Sequence, residues 1–281
     1  MTTLRDDLAA APLGRATDYP DAYDPSLLFS VARAPQRQAI GISIGISALL
    51  PFTGADHWTA FELTWLDPKG KPAIAIAGFD VPATSPAIVE SKSVKLYLGA
   101  FAQTRFEHAA AVADTIRRDL AQATGAPVSV RLTLPAQFRD QRMAEMEGEN
   151  LDTLMVAIDR YEPDPDALTV KSGEVVETLR TDLFRSVCPI TGQPDYASVA
   201  IRYEGPRIDR EGLLRYLVSY RRHAGFHEHC VERIFVDIQR ACRCHALMVA
   251  ARFTRRGGVD INPWRGSHGL LLQSASRMPR Q

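Results

Sequence analysis

The chain has 281 residues, 46% of them hydrophobic and 23% charged, which is enough for a real core in one large domain or two small ones. Lysine plus arginine and aspartate plus glutamate each total 33, so the formal net charge is zero and bulk electrostatics gives no reason to expect a nucleic acid or a membrane as partner. The start, MTTLRDDLAAAPLGR, lacks the basic-then-apolar order of a signal peptide, and the longest apolar run, 39–52, is interrupted and too short for a bilayer, so a cytoplasmic protein is expected.

In chain order, prolines and glycines punctuate the first forty residues, which read as loop. Strand-like runs follow at 40–50, 58–66 and 73–77. The segment 90–98, if helical, puts Ser91 and Lys95 four residues apart on one face. A helix is predicted over 106–123, with Ala110, Val112, Ala113, Ile116 and Leu120 as its apolar stripe, Arg117, Arg118 and Asp119 mainly outside it, and Gly125 as its stop. Strands are expected at 128–134 and 154–158, then a soft boundary near Pro163 and Pro165. Beyond it come a strand at 199–203, helices at 209–220 and 226–242, and a strand at 246–253. The two halves share a plan of strands and helices. Tyr97-Leu98-x-x-Phe101 against Tyr216-Leu217-x-x-Tyr220 is a faint internal echo.

The four cysteines, Cys188, Cys230, Cys242 and Cys244, are not spread as a disulfide framework, which favours a reducing compartment and free thiols. Cys188 precedes Pro189-Ile190-Thr191-Gly192-Gln193-Pro194-Asp195. The proline extends the backbone at Cys188, and Thr191 to Pro194 spell a turn that can fold Asp195 back towards the sulfur. A thiol beside a carboxyl group is a nucleophile with a proton donor, suited to an electrophile with no leaving group, such as a nitrile. The same residues also suit a buried structural cysteine before a turn.

His227 and Glu228 open a helix, where a carboxylate can take paired N–H groups of a guanine-type edge or simply answer the helix dipole. Glu90-Ser91-Lys92-Ser93-Val94-Lys95 offers a phosphate-binding face or a solvated helix start. Arg255-Arg256-Gly257-Gly258 allows close approach to a phosphate, or forms a basic hairpin turn. A Rossmann fingerprint is lacking, since Gly41 and Gly45 give only G-x-x-x-G.

Taken together these segments resemble one family, the bimodular NADPH-dependent 7-cyano-7-deazaguanine reductases. The resemblance runs through Tyr23-Asp24-Pro25-Ser26-Leu27-Leu28-Phe29, Asp56-His57-Trp58-Thr59-Ala60-Phe61-Glu62-Leu63, 90–98, 188–195, 226–235 and 254–265. It departs after the first motif, where Ser30-Val31-Ala32-Arg33 stand in place of the usual prolines.

The resemblance implies an α+β protein of two tandem tunnelling-fold modules, each ββααββ, with antiparallel sheets and helices on one face, assembled as a homodimer. The modules are expected at 1–165 and 166–281. It also implies reduction of the nitrile of 7-cyano-7-deazaguanine to the 7-aminomethyl compound, towards queuosine in tRNA, with two NADPH per nitrile. By motif, Cys188 forms a thioimide, Asp195 donates the proton and His227 helps to move protons. Ile88 and Val89 (through backbone), Glu90, His227 and Glu228 contact the substrate. Glu90, Ser91, Arg256 and Gly257 meet NADPH, and their charge adds Lys92 and Lys95 as phosphate partners. Because Glu90 and Cys188 lie in different halves, the expected pocket lies where modules meet.

Two other readings compete. A zinc-dependent pterin or purine hydrolase would use His227, His229, Cys230, Cys242, Cys244 and His245, although Cys242 and Cys244 would point about 200° apart on one helix. Against a non-catalytic RNA or base-binding module stand the zero net charge and the absence of an aromatic and basic stripe in this sequence.

Overall fold

A computed structural model describes residues 20, 22–43, 49–270, 272 and 276–281. The loop reading of 1–19 and the centre of the strand expected at 40–50 lie outside them. Residues 40–43 and 49–50 form turn and coil rather than strand. The protein is mixed α+β, with mainly antiparallel strands. It divides into two compact units. One takes the described residues up to Gln36, with Asp56–Gln141 and Arg255–Ile261. The other takes the described residues of Arg37–Ala55, Arg142–Thr254 and Asn262–Gln281.

The elements in chain order are β1 (Ser30–Ala32), α1 (Ala34–Ala39), β2 (Thr53–Leu66), β3 (Pro72–Pro82), β4 (Ala87–Val89), α2 (Ser91–Gly99), α3 (Ala109–Thr124) and β5 (Ser129–Thr133). Then come β6 (Glu149–Asn150), β7 (Val170–Val187), β8 (Pro194–Ile208), α4 (Arg210–Ser219), α5 (His227–Cys242), β9 (Ala246–Phe253) and β10 (Val259–Gly266).

In the first unit β3 lies between β2 and β5, and it pairs antiparallel with β5 from Ile76↔Thr133 to Asp80↔Ser129. Alternation buries Trp58 and Ala60 of β2 and Ala75, Ala77, Phe79 and Val81 of β3, and after a one-residue shift in the alternation of β2 Leu63 and Trp65 are buried too. Trp58 stacks on Phe79 at 5.4 Å, and Tyr97, Phe101, Val112, Ile116 and Leu120 of the helical layer close the core. His108 caps α3 by accepting from the Ala111 N–H at 3.0 Å, and Gly125 ends it at φ 71°.

In the second unit β8 lies between β7 and β9 in antiparallel register, and β6 adds to β7 in parallel. Val199, Ile201, Val249 and Ala251 are buried, as are Leu213 and Leu217 of α4 and Val231, Ile234 and Ile238 of α5. Among the described residues no helix is long and apolar enough to cross a membrane.

The internal echo has a structural counterpart. In the first unit Asp24-Pro25-Ser26-Leu27 makes a 3-10 turn, and Phe29 O accepts from Glu90 N, at the head of α2, at 2.9 Å. In the second unit Asp164-Pro165-Asp166-Ala167 makes the same turn, and Thr169 O accepts from Asp209 N, at the head of α4, at 2.9 Å. Tyr97 on α2 donates to Asp119 on α3 at 2.7 Å, and Tyr216 on α4 donates to Asp237 on α5 at 2.8 Å.

Several expectations are corrected. Residues 154–158 form no strand, because local turns (Leu154 N to Leu151 O, Val156 N to Leu154 O) take their N–H groups. Strands β7 and β10, and helix α1 inside the supposed loop, were not legible, and β8 is 15 residues long where 199–203 was expected. Asp119 is buried, because the Tyr23 and Tyr97 hydroxyls both donate to it.

Candidate active site

Cys188 follows the last residue of β7, and Asp195 is the second residue of β8. Their hairpin is closed by the Cys188 N–H donating to Gln193 O at 2.8 Å and the Gly192 N–H to Cys188 O at 3.0 Å, with Gly192 at φ 70° as the turn requires. Val187 pairs with Pro194 and Ser186 with Asp195. With a side-chain period of two, Ser186, Cys188 and Asp195 share one face of the hairpin, and all three are buried. Cys188 and Asp195 are thus diagonal neighbours across the ladder.

The end of β7 is pinned to the segment leading into α5. Val187 N donates to His223 O at 2.9 Å, and Gly225 N to Val187 O at 3.1 Å. This brings the first turn of α5 over the hairpin. His227 Nε2 lies 3.4 Å from Asp195 Oδ2, its ring lies flat on Phe253 at 3.7 Å and 4°, and its Nδ1 is buried without a hydrogen bond. Glu228, also buried, follows in the same turn, and no side-chain oxygen of Phe226 caps the helix. Cys230, one turn on, is pushed up to about 12 by burial, against the Ser186 hydroxyl and with help from Asp195 and Glu228, so it stays a thiol.

The second unit therefore gathers Cys188, Asp195, His227 and Glu228. The sequence reading had missed Phe253, the platform under His227. Its only signal was a large apolar residue ending β9.

The remaining predicted residues lie in the first unit. Ile88 and Val89 are buried in β4, opposite Val31 and Ser30 of β1. Glu90 is fully buried and caps α2, accepting from Lys92 N at 2.7 Å and Ser93 N at 2.8 Å. Burial raises its carboxyl above the ordinary range despite those N–H groups and the Ser91 hydroxyl.

Arg256 and Val259 bracket a tight hairpin turn with Gly257 at φ 55° and Gly258 at φ 78°. A Cβ on Gly257 would stand 1.9 Å from Lys95 Nζ, and one on Gly258 would stand 2.3 Å from Glu62 Cδ. The missing side chain at Gly257 is therefore what lets the Lys95 ammonium rest on the turn. Lys92, Lys95, Arg256 and Ser91 are a donor set that fits a phosphate-bearing group.

Among the described residues no three His, Cys, Asp or Glu side chains converge as metal ligands. Cys242 ends α5, while Cys244 lies beyond Arg243 in left-handed backbone at φ 52°.

Comparison with known proteins gives the family. The family described as "Nitrile reductase, 7-cyano-7-deazaguanine-reductase N-term" matches residues 19–132, and "QueF-like protein" matches 194–269. The first span holds Ile88 to Lys95 and the second Asp195, His227, Glu228, Arg256 and Gly257, while Cys188 falls between them. A protein of Burkholderia pseudomallei (strain 1106a) named "NADPH-dependent 7-cyano-7-deazaguanine reductase" is 56% identical over 273 residues, covering 96% of this chain and 98% of that protein. One of the same name from Paraburkholderia xenovorans (strain LB400) is 55% identical with the same coverage. A solved structure titled archaeosine synthase QueF-Like in the apo form aligns with 36% of this chain and all of that one, at 23% identity and a TM-score of 0.31. The zinc hydrolase reading finds no support among these relatives. With such identity along nearly its whole length, the chain belongs to the family of NADPH-dependent 7-cyano-7-deazaguanine reductases.

Proposed function

We propose that this protein reduces the nitrile of 7-cyano-7-deazaguanine to the 7-aminomethyl compound with NADPH, through a covalent thioimide on Cys188. The observation that carries the reading is the hairpin that sets Cys188 and Asp195 on one buried face, with His227 3.4 Å from Asp195.

The sulfur of Cys188 bonds to the nitrile carbon as one π bond of C≡N opens. The nitrogen takes a proton from Asp195, and the thiol proton lost by sulfur balances it. His227, held flat by Phe253, relays protons to Asp195. Its distance is long for a hydrogen bond, as is common before substrate closes a site. Glu228 is a carboxylate for the N–H groups of the guanine-like edge, the role that its own motif implies for Glu90. Bound NADPH supplies hydride, twice per nitrile. Lys92, Lys95, Ser91 and the Arg256-Gly257 turn would hold its phosphates. Between the two reductions Cys188 leaves as thiol and frees an imine, and each reduction needs one proton at nitrogen, which the Asp195 and His227 pair delivers.

The wider frame belongs to the same proposal. It comprises tandem tunnelling-fold modules at 1–165 and 166–281, a homodimer, a cytoplasmic location, no nucleic-acid partner and a role in queuosine formation. The order β7-β8-α4-α5-β9-β10 supports a ββααββ module, and the repeated turn and Tyr–Asp pair support a duplication.

The test is incubation with the nitrile without NADPH, read by intact mass. The expected gain is the full substrate mass, since addition loses no atoms. Cys188→Ala should remove it and Asp195→Asn should slow it. An adduct mapping to Cys230 would refute the assignment.

A further inference from the structure

Helix α5 carries two acids one turn apart, Glu228 and Glu232, and only the first has a place in the chemistry above. Glu232 is wholly buried, and guanidinium groups hold both its oxygens. Arg37 Nε donates to Oε2 at 3.0 Å and Arg37 Nη2 to Oε1 at 2.7 Å. Arg265 Nε and Nη2 donate to Oε1 at 3.1 and 2.9 Å. Both guanidinium groups lie over the Phe52 ring, 5.8 and 5.5 Å from its centroid, and Phe52 meets Phe235 of α5 edge-on at 5.4 Å. Arg265 Nη1 is tied in turn to the carbonyls of Ala55 and Trp264. Two turns further along α5, Arg240 donates to Ile40 O at 3.2 Å.

Burying three charges costs more than filling the same space with apolar side chains, so net stability is a poor reason for such a cluster. Geometry is a better one. Apolar side chains tolerate sliding, whereas two guanidinium forks on one carboxylate fix direction as well as distance. The forks arrive from α1 and β10, so together they set the rotation and the axial position of α5. Helical spacing puts Glu228 one turn towards the N-terminus on the same stripe as Glu232. A rotation of the helix at Glu232 would therefore pass directly to Glu228 and its neighbour His227.

We infer that Glu232, gripped by Arg37 and Arg265, is a positioning residue for the nitrile site. It holds the first turn of α5 where Glu228 and His227 can meet the substrate. This rests on the reading that Glu228 takes the base.

Two variants test it. Glu232→Gln keeps the shape and removes the charge, while Arg37→Lys keeps the charge and removes the fork. KM and kcat for the nitrile are measured in each, with the dissociation constant of the nitrile on a Cys188→Ala background and the thermal midpoint. The expected result is KM and dissociation constant raised about tenfold, kcat lowered by up to about tenfold through the displaced His227, and full adduct stoichiometry on Cys188 at saturation. A fall in midpoint and active fraction at unchanged KM and dissociation constant would mean a role in stability alone and would overturn the inference, as would unaltered constants. If Glu232→Gln does not fold, Arg37→Lys decides. Absence of any adduct in the unmodified protein would refute the reaction on Cys188, while the binding measurement without the thiol still judges the clamp.

Discussion

The imidazole of His227 lies flat on the phenyl ring of Phe253, with centroids 3.7 Å apart and planes 4° apart. The stack fixes the ring plane and leaves Nε2 towards Asp195. Phe253→Leu keeps an apolar side chain, though a smaller one, and frees the imidazole ring to tilt. Adduct formation at saturating nitrile is expected to slow about tenfold, a fraction of what a positioned acid–base group contributes. Stopped-flow measurement of the adduct checks this, and a rate equal to the parent's would show that the platform is idle.

The paired tyrosines give a prediction of relative size. Burial, then the aspartate partner, holds the Tyr97 hydroxyl protonated well above its ordinary range, and burial does the same for Tyr216. Asp119 also receives the Tyr23 hydroxyl at 2.6 Å and Arg118 at 3.1 Å. Among the described residues Asp237 has, besides Tyr216, only a 3.4 Å contact with Arg233, and Tyr216 also bonds Tyr220 at 2.8 Å. Tyr216→Phe should therefore destabilise more than Tyr97→Phe, about 2–3 against about 1 kcal/mol by loss of a buried bond to a charged group. Urea midpoints compare them. Equal costs would contradict the reading of Asp119 as the better satisfied acid.

These pairs also mark how far the sequence could be read. The Cys188 to Asp195 turn was legible because Pro189, Gly192 and Pro194 restrict the backbone locally, and β9 matched its expected bounds because Ala246 to Ala251 are all apolar and Phe253 closes the run after Arg252. Strand β7 was hidden. Residues 170–174 are all exposed, with no apolar side chain after Val170 and no alternation, and the strand exists through its pairing with β8 from Val170↔Ile208 to Val187↔Pro194. Asp119 falls about 20° from Val112 at the edge of the apolar stripe of α3, but nothing local announces a buried carboxylate there, because its partners Tyr23 and Tyr97 come from other elements. Glu232 was unreadable for the same reason, since Arg37 is 195 positions away. Local backbone restriction shows in a sequence, whereas long-range satisfaction of a buried charge does not.

The hairpin glycines separate the cofactor from the nitrile. Gly257→Ala would place a methyl group where Lys95 Nζ now rests, at a backbone φ of 55° that favours glycine. The lysine end is flexible, so it moves aside and the fold survives. KM for NADPH is expected to rise about tenfold by loss of one charge-assisted contact, while binding of the nitrile to the Cys188→Ala protein is unchanged. A rise in both constants would place the turn outside a dedicated cofactor role.

Alkaline stability follows from the other cysteines. Burial pushes Cys230 and Cys242 up to about 12 and Cys244 up to about 11, from an ordinary value of 9.0. In the unfolded chain these thiols ionise near their ordinary value, while in the folded protein they hold their protons, so above that value the folded state binds more protons than the unfolded one. Stability contributed by the three sites is then complete below about pH 9 and is lost as pH rises towards 11–12. Denaturant midpoints should be flat from pH 7 to about 8.5 and fall beyond it. Cys242→Ala, which removes one of the three ionisations at the end of α5, should flatten that fall. A slope unchanged by this substitution would mean that the thiol is solvated in the folded protein and that its burial does not govern the alkaline limb.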